Sequence, residues 1–215
     1  MLYDSAWENS PLPKVPMATI QSVCVYCGSG FGADPVFAET AAELGRSLAE
    51  QGISLVYGGG NVGLMGTVAR SVLDHGGYVT GIIPDFLKSR EKLLDNVQET
   101  IVVPDMHTRK RLMFEKADAF VALPGGIGTL EELVEQMTWA QLGQHTKPIL
   151  LFSPNQFWRP LLTLLAHMRE QGFIRPGLEL NYLVAERVEE IVPMLQAAAR
   201  RLGLAANADF IEQRF

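Results

Sequence analysis

The sequence predicts an α/β fold, a doubly wound and mostly parallel sheet with helices on both faces. Two observations carry that expectation. Short apolar, β-branched runs alternate with segments of helical period, and the connections between them are short, as in a parallel sheet covered on both sides. The composition, 47% hydrophobic and 20% charged in 215 residues, supplies a core large enough for one such domain. The domain is expected over residues 19–202. Residues 1–18, with Pro11, Pro13 and Pro16 and little periodicity, read as an extended arm, and residues 203–215 as a C-terminal tail.

Each element has a local reason. The first strand is expected over Gln21 to Tyr26. Asp34 can cap the next helix and Pro35 suits its first turn, after which Phe37, Ala41, Leu44 and Leu48 form one inward stripe. Gly52 closes that helix, and Ile53 to Tyr57 makes the second strand. A glycine cluster leads into a helix with Met65, Ala69 and Val72 inward, ended by Gly76 and Gly77. Tyr78 to Ile83 is the third strand, stopped by Pro84, and Asp85 to Gln98 is charged and irregular. Thr100 to Val103 is the fourth strand, Met106 to Lys116 a helix, and Ala119 to Leu123 the fifth strand. The turn Pro124 to Gly128 opens a helix with Leu130, Leu133, Val134 and Met137 inward. Pro148 to Phe152 is the sixth strand, and Pro160 begins a helix with Leu161, Leu164, Leu165 and Met168 inward. A last helix carries Val188, Ile191, Val192 and Leu195.

A formal net charge of -6 repels phosphate backbones, so nucleic acid is not an expected partner, and a bound anion needs a local positive site. The apolar runs fall far short of the ~20 residues of a spanning helix, and no basic region precedes an apolar stretch at the N-terminus. A cytoplasmic protein with no membrane partner is expected. Cys24 and Cys27 lack the second ligand pair of a zinc site, and three residues apart on a strand they point to opposite faces. They read as buried structural thiols, and no metal is expected. His75, His145 and His167 read as surface positions, Trp139 and Trp158 as core or subunit contact, and Asp118 as a turn residue.

In open parallel sheets, ligands bind beyond the carboxyl ends of the strands, near the point where strand order reverses. Three glycine-rich segments fall at such ends: Gly28-Ser29-Gly30, Gly58 to Gly63, and Pro124 to Thr129. Glycines there let backbone N–H groups approach an anion, and the helix that follows presents its positive end. A nucleotide-like ligand follows, with Gly28, Ser29, Gly59, Gly60 and Met65 among the candidate contacts. The chain has no Gly-Lys pair for a Walker loop, and the second strand ends without the carboxylate that a dinucleotide ribose needs.

Met106-His107-Thr108-Arg109-Lys110 and Thr129-Leu130-Glu131-Glu132 are the most informative pair of segments. Two cations at a helix start oppose its dipole, which costs stability unless an anion is near, whereas two carboxylates at a helix start gain from it. If the two helix starts face each other, arginine and carboxylate flank a ligand whose phosphate sits on the glycine turn.

At this point the residues resemble a known family. Val56-Tyr57-Gly58-Gly59-Gly60, Gly63-Leu64-Met65-Gly66, Met106-His107-x-Arg109-Lys110 and Pro124-Gly125-Gly126-x-Gly128-Thr129-x-x-Glu132 look like the signature of the Lonely Guy proteins, cytokinin riboside 5′-monophosphate phosphoribohydrolases. The likeness runs from about Ser22 to the helix after Pro160. It implies a Rossmann-like fold, no cofactor, and hydrolysis of an N6-modified adenosine 5′-monophosphate, or AMP itself, to free base and ribose 5-phosphate. It also implies a homodimer with the site near the interface, a higher oligomer being the other option. Arg109 and Glu132 would be the catalytic pair. Gly125, Gly126, Gly128 and Thr129 would hold the phosphate, and Glu91, Lys110, Glu131 and Thr138 would contact substrate. Two other functions fit the same residues less well: a general nucleotide nucleosidase, and a non-catalytic carrier of a phosphorylated cofactor such as molybdenum cofactor.

Overall fold

A computed structural model describes residues 19–88, 94, 96–175 and 177–212, with side chains as far as residue 202. The strands are β1 Ser22–Tyr26, β2 Ser54–Tyr57, β3 Val79–Pro84, β4 Glu99–Val103, β5 Ala119–Ala122, β6 Ile149–Phe152 and β7 Leu183–Ala185. Among the described residues every pairing is parallel, in the order β4-β3-β2-β1-β5-β6-β7. The order therefore reverses between β1 and β5, which puts the ligand crevice of such a sheet beyond their carboxyl ends. The helices are α1 Val36–Glu50, α2 Gly63–Asp74, α3 Asp85–Lys88, α4 Met106–Glu115, α5 Ile127–Gln141, α6 Arg159–Glu170 and α7 Val188–Glu212.

Strand periodicity divides the core into two layers. Val23, Val25 and Cys27 of the first strand and its end point to one face, under Leu44 and Leu48 of α1, Val68 and Val72 of α2, and Ile191 and Leu195 of α7. Cys24 and Tyr26 point to the other, under Met113 of α4, Leu133 and Met137 of α5, and Trp158. The two cysteines are free, buried, and on opposite faces, as their spacing requires. Burying such side chains is worth about 1.5–3 kcal/mol each, so these stripes fix which face of each helix meets the sheet. Asp34 does cap α1: its Oδ1 accepts from the Val36 N–H at 3.0 Å.

Several expectations need correction. The sheet has a seventh strand, β7, whose three residues are too short to show a period. Leu164 (48% exposed) and Met168 (38%) do not face inward; α6 instead seats Leu161, Leu162 and Leu165 on the core. Val134 on α5 is likewise exposed, and that helix buries Gln136 beside Leu133 and Met137. His145 is not a surface residue. It is buried, with its Nε2 3.1 Å from the Gln136 carbonyl and its Nδ1 accepting from the Lys147 N–H. Asp118 does more than turn the chain, since its Oδ2 accepts from the N–H groups of Gln21 and Ser22 at 2.9 Å and so anchors the start of β1. The last helix runs from Val188 to Glu212. The arm over residues 1–18 and Glu91 lie outside the described residues. Among the described residues no helix is long and apolar enough to cross a membrane.

Candidate active site

The three glycine segments meet at one edge. The Gly28 N–H donates to the Pro124 carbonyl at 3.1 Å, and the Gly28 carbonyl accepts from the Leu64 N–H at 3.1 Å. The loop after β1 is thereby stitched to the loops after β5 and β2. Ser29 is exposed at this rim, its backbone lying against Gly63. Two glycines are required by close approach. A Cβ on Gly58 would run into the Arg109 guanidinium, and one on Gly125 into the Thr129 hydroxyl. At α5, Gly126 is the N-cap, and among the described residues no side chain caps it. The first intrahelical bond runs from the Leu130 N–H to the Gly126 carbonyl, so the N–H groups of Ile127, Gly128 and Thr129 precede the ladder at the positive end of the helix. That is the chemistry of an anion site.

Arg109 enters from α4, whose N-cap Asp105 accepts from the Thr108 N–H at 2.7 Å. Its guanidinium is buried at 7% exposure. Nε donates to the Ile82 carbonyl at 3.1 Å and Nη2 to the Gly58 carbonyl at 2.9 Å. Two backbone oxygens at the ends of β2 and β3 therefore hold the fork in place. The penalty of a buried cation is offset by these charge-assisted bonds without using up its charge. Met65 lies alongside, its sulfur close to Gly58.

Across from Arg109, the first turns of α5 carry the carboxylates, and the structure separates them. Glu131 is 53% exposed and accepts from Lys110 Nζ at 2.6 Å. Glu132 is far more enclosed and, among the described residues, forms no ion pair. Burial pushes its pKa up to about 7; Arg109 and Lys110 pull it down, while Glu131 and Glu135 add to the rise. Glu132 thus exchanges a proton near neutral pH, as a general acid or base must. Beneath it lie Cys24, Tyr26 and Cys27, whose pKa values are raised by burial and by the Glu132 charge, so the floor stays neutral. Burial opposes the charge on Lys110, but its hydrogen bonds to Glu131 and Glu135 outweigh that and raise its pKa.

A family model described as "Possible lysine decarboxylase" matches residues 65–195. The cytokinin riboside 5′-monophosphate phosphoribohydrolase of Rhodococcoides fascians is 43% identical over 193 residues, covering 87% of this chain and 98% of that one. One from Arabidopsis thaliana is 46% identical over 174 residues, covering 81% of this chain and 80% of that one. The chain belongs to the Lonely Guy family.

Solved structures agree on the fold. The molybdenum cofactor binding protein of Rippkaea orientalis superposes with a TM-score of 0.61 at 24% identity, over 82% of this chain and 95% of that one. The molybdenum cofactor carrier protein of Chlamydomonas reinhardtii does so at 0.60 and 19%, over 82% and 96%. At that identity the likeness concerns the fold alone.

The signature residues of the Lonely Guy family fall at the carboxyl edge of the sheet and at the helix starts beside it. Gly28, Ser29, Gly59, Gly60, Met65, Arg109, Lys110, Gly125, Gly126, Gly128, Thr129, Glu131 and Glu132 all stand on the β1, β2 and β5 loops or the helix starts beside them. Thr138 does not join them. It is exposed about two and a half turns along α5 from Thr129, and its hydroxyl donates to the Val134 carbonyl of its own helix at 2.7 Å. The sequence reading also missed parts of the site. The carbonyls that seat Arg109 carry no sequence letter. Glu135, by contrast, stands one turn after Glu131, and that spacing announced a second carboxylate within reach of Lys110. Among the described residues no group of three or more His, Cys, Asp or Glu side chains is placed to hold a metal ion.

Proposed function

We propose that this protein hydrolyses the N-glycosidic bond of an adenosine 5′-monophosphate, N6-modified or plain, giving free base and ribose 5-phosphate. The observation that carries the reading is an enclosed carboxylate, Glu132, unpaired among the described residues, opposite an arginine anchored on two carbonyls and beside a helix N-terminus that no described side chain caps. The names of the relatives describe this reaction for cytokinin riboside 5′-monophosphates.

The chemistry follows from the bond. As the C1′–N bond lengthens, positive charge grows on the ribose and negative charge on the departing base. Ionised Glu132 faces the ribose cation and takes a proton from the attacking water, whose oxygen bonds to C1′. The bonding electron pair leaves with the base, where Arg109 balances it until the base takes up a proton from solvent, and Glu132 returns its own proton to solvent. A general base contributes ~10²–10⁴ in rate, and a fixed donor at a developing charge about 3 kcal/mol. The 5′-phosphate rests on the N–H groups of Ile127 to Thr129, with the Thr129 hydroxyl close by. Its binding energy holds the ring against Glu132.

No step calls for a cofactor, and the lysine chemistry of a decarboxylase finds no support. A Schiff-base lysine needs a neutral amine. Lys110 is instead held as an ammonium by two carboxylates, and Lys147, whose ionisation burial pushes down, lies at the opposite end of the sheet and donates to the Phe114 carbonyl. The carrier reading rests on fold likeness and gives no use for Glu132. A homodimer suits the exposed face of α5, where Ile127 (82% exposed) and Val134 (40%) share a side with Thr138. A second copy laid there would bring Thr138 into contact with the site region. The two free buried thiols fit a cytoplasmic location.

The test is the 5′-phosphate itself. AMP is expected to be cleaved at least about 100-fold faster, in kcat/KM, than adenosine, in proportion to an anchoring energy of about 3 kcal/mol. Equal rates for nucleotide and nucleoside would remove the glycine turn from the mechanism.

A further inference from the structure

Glu132 has two cations for neighbours and pairs with neither. Arg109 is held on the carbonyls of Ile82 and Gly58 and forms no ion pair with Glu132. Lys110 Nζ is shared between Glu131 Oε1 at 2.6 Å and Glu135 Oε1 at 3.0 Å. These two acceptors differ. The Glu131 side chain is 53% exposed, so water competes for its lysine bond, whereas that of Glu135 is 21% exposed. The second oxygen of Glu135, Oε2, is buried with no hydrogen-bond partner among the described residues. Leaving a carboxylate oxygen unpaired in a protein interior is costly, and such a feature survives where the other oxygen has a job. On α5, Glu135 stands three residues beyond Glu132, the spacing at which side chains share a face.

A loose ammonium in this corner would settle on the most enclosed carboxylate, where low polarity makes an ion pair strongest. That carboxylate is Glu132. We propose that Glu135 is a positioning residue: by accepting from Lys110 Nζ it keeps the ammonium away from Glu132, which is left unpaired to exchange a proton with water at the ribose. The proposal rests on the reading of Glu132 as the reacting carboxylate.

Among the described residues, the charged groups acting on Glu132 come from α4 and α5. Arg109 and Lys110 of α4 favour its charge, and Glu131 and Glu135 of α5 oppose it. Cys24, Tyr26 and Cys27 at the end of β1 stay neutral beneath it. Of the two cations Lys110 is the one held by side chains alone, Glu131 and Glu135, whereas Arg109 is fixed at two atoms on backbone carbonyls. Removing the Glu135 charge therefore acts on Glu132 twice in one direction: a repelling carboxylate disappears, and Lys110 is released toward it.

The experiment follows the ionisation of Glu132 by carbon NMR of labelled glutamate side chains in the full chain without substrate. The Glu132 resonance is assigned by its absence in Glu132→Gln. The wild-type midpoint is expected near 7. In Glu135→Gln it moves down by about one pH unit or more, tenfold in the ionisation constant. Glu135→Asp, which keeps an acceptor for the lysine, restores most of the shift. In a Lys110→Met background the effect of Glu135→Gln shrinks, because the ammonium it restrained is gone. An unmoved midpoint in Glu135→Gln, or a shift undiminished in Lys110→Met, overturns the role given to Glu135. A wild-type midpoint at the ordinary glutamate value overturns instead the proton-exchanging role of Glu132, so the two failures are told apart without any assay of turnover.

Discussion

Replacing Glu132 with glutamine is expected to slow base release about 10³-fold while nucleotide affinity stays within a few-fold of wild type. The amide keeps the size of the side chain and its place on α5 but can neither take a proton from water nor balance a ribose cation. The loss should therefore fall on kcat, because the phosphate turn that anchors the substrate is untouched. In the wild type, turnover should climb as pH rises through about 7, since the base role needs the ionised form. The same variant should be more stable than wild type in alkaline solution. A carboxyl raised from 4.5 to about 7 favours folding while protonated, and that contribution is lost as pH rises through 7. Glu132→Gln escapes the loss, so its advantage at pH 8 should be on the order of 2–3 kcal/mol and should vanish toward pH 4. Urea unfolding at both pH values, beside single-turnover kinetics, checks the two halves. A variant with full turnover, or one no more stable at pH 8, would remove Glu132 from the centre of the mechanism.

Arg109→Lys is expected to lower kcat by about 10²-fold although the charge is conserved. Arginine reaches two carbonyls at once, from Nε to Ile82 and from Nη2 to Gly58, and remains aimed at the crevice. Lysine offers a single point charge on a flexible stem and satisfies one carbonyl at best. The carbonyl left over is buried, so a stability loss of about 1–3 kcal/mol should accompany the slower turnover. Steady-state kinetics and the urea midpoint report the two effects. A lysine variant within a few-fold of wild type would mean that charge alone, and not the held fork, matters at this position.

How much of this was legible in the sequence depended on the kind of information each feature needs. The parallel α/β fold was legible because it is written in local periods: Ala41, Leu44 and Leu48 name the inward face of α1, and the glycine segments name the ends of β1, β2 and β5. Three-residue β7 has no period to read, and its place at the sheet edge comes from pairing with β6. His145 was misread because what buries it, the Gln136 carbonyl and the Phe114 and Phe120 rings, is assembled only on folding. At the site, sequence marked Arg109 as a cation at the wrong end of a helix but could not supply its partners, which are backbone oxygens. Read locally, Glu131 and Glu132 are alike, and only the family resemblance set Glu132 apart. What distinguishes them is exposure and the grip of Lys110 on one of them, both consequences of how α4 and α5 meet.

The most direct measurement is the identity of the products. Purified protein incubated with AMP and with an N6-isopentenyl AMP should release free base and ribose 5-phosphate in equal amounts, and Glu132→Gln should release neither at a comparable rate. Nucleoside and inorganic phosphate in their place, or an intact nucleotide recovered after long incubation, would contradict cleavage at C1′.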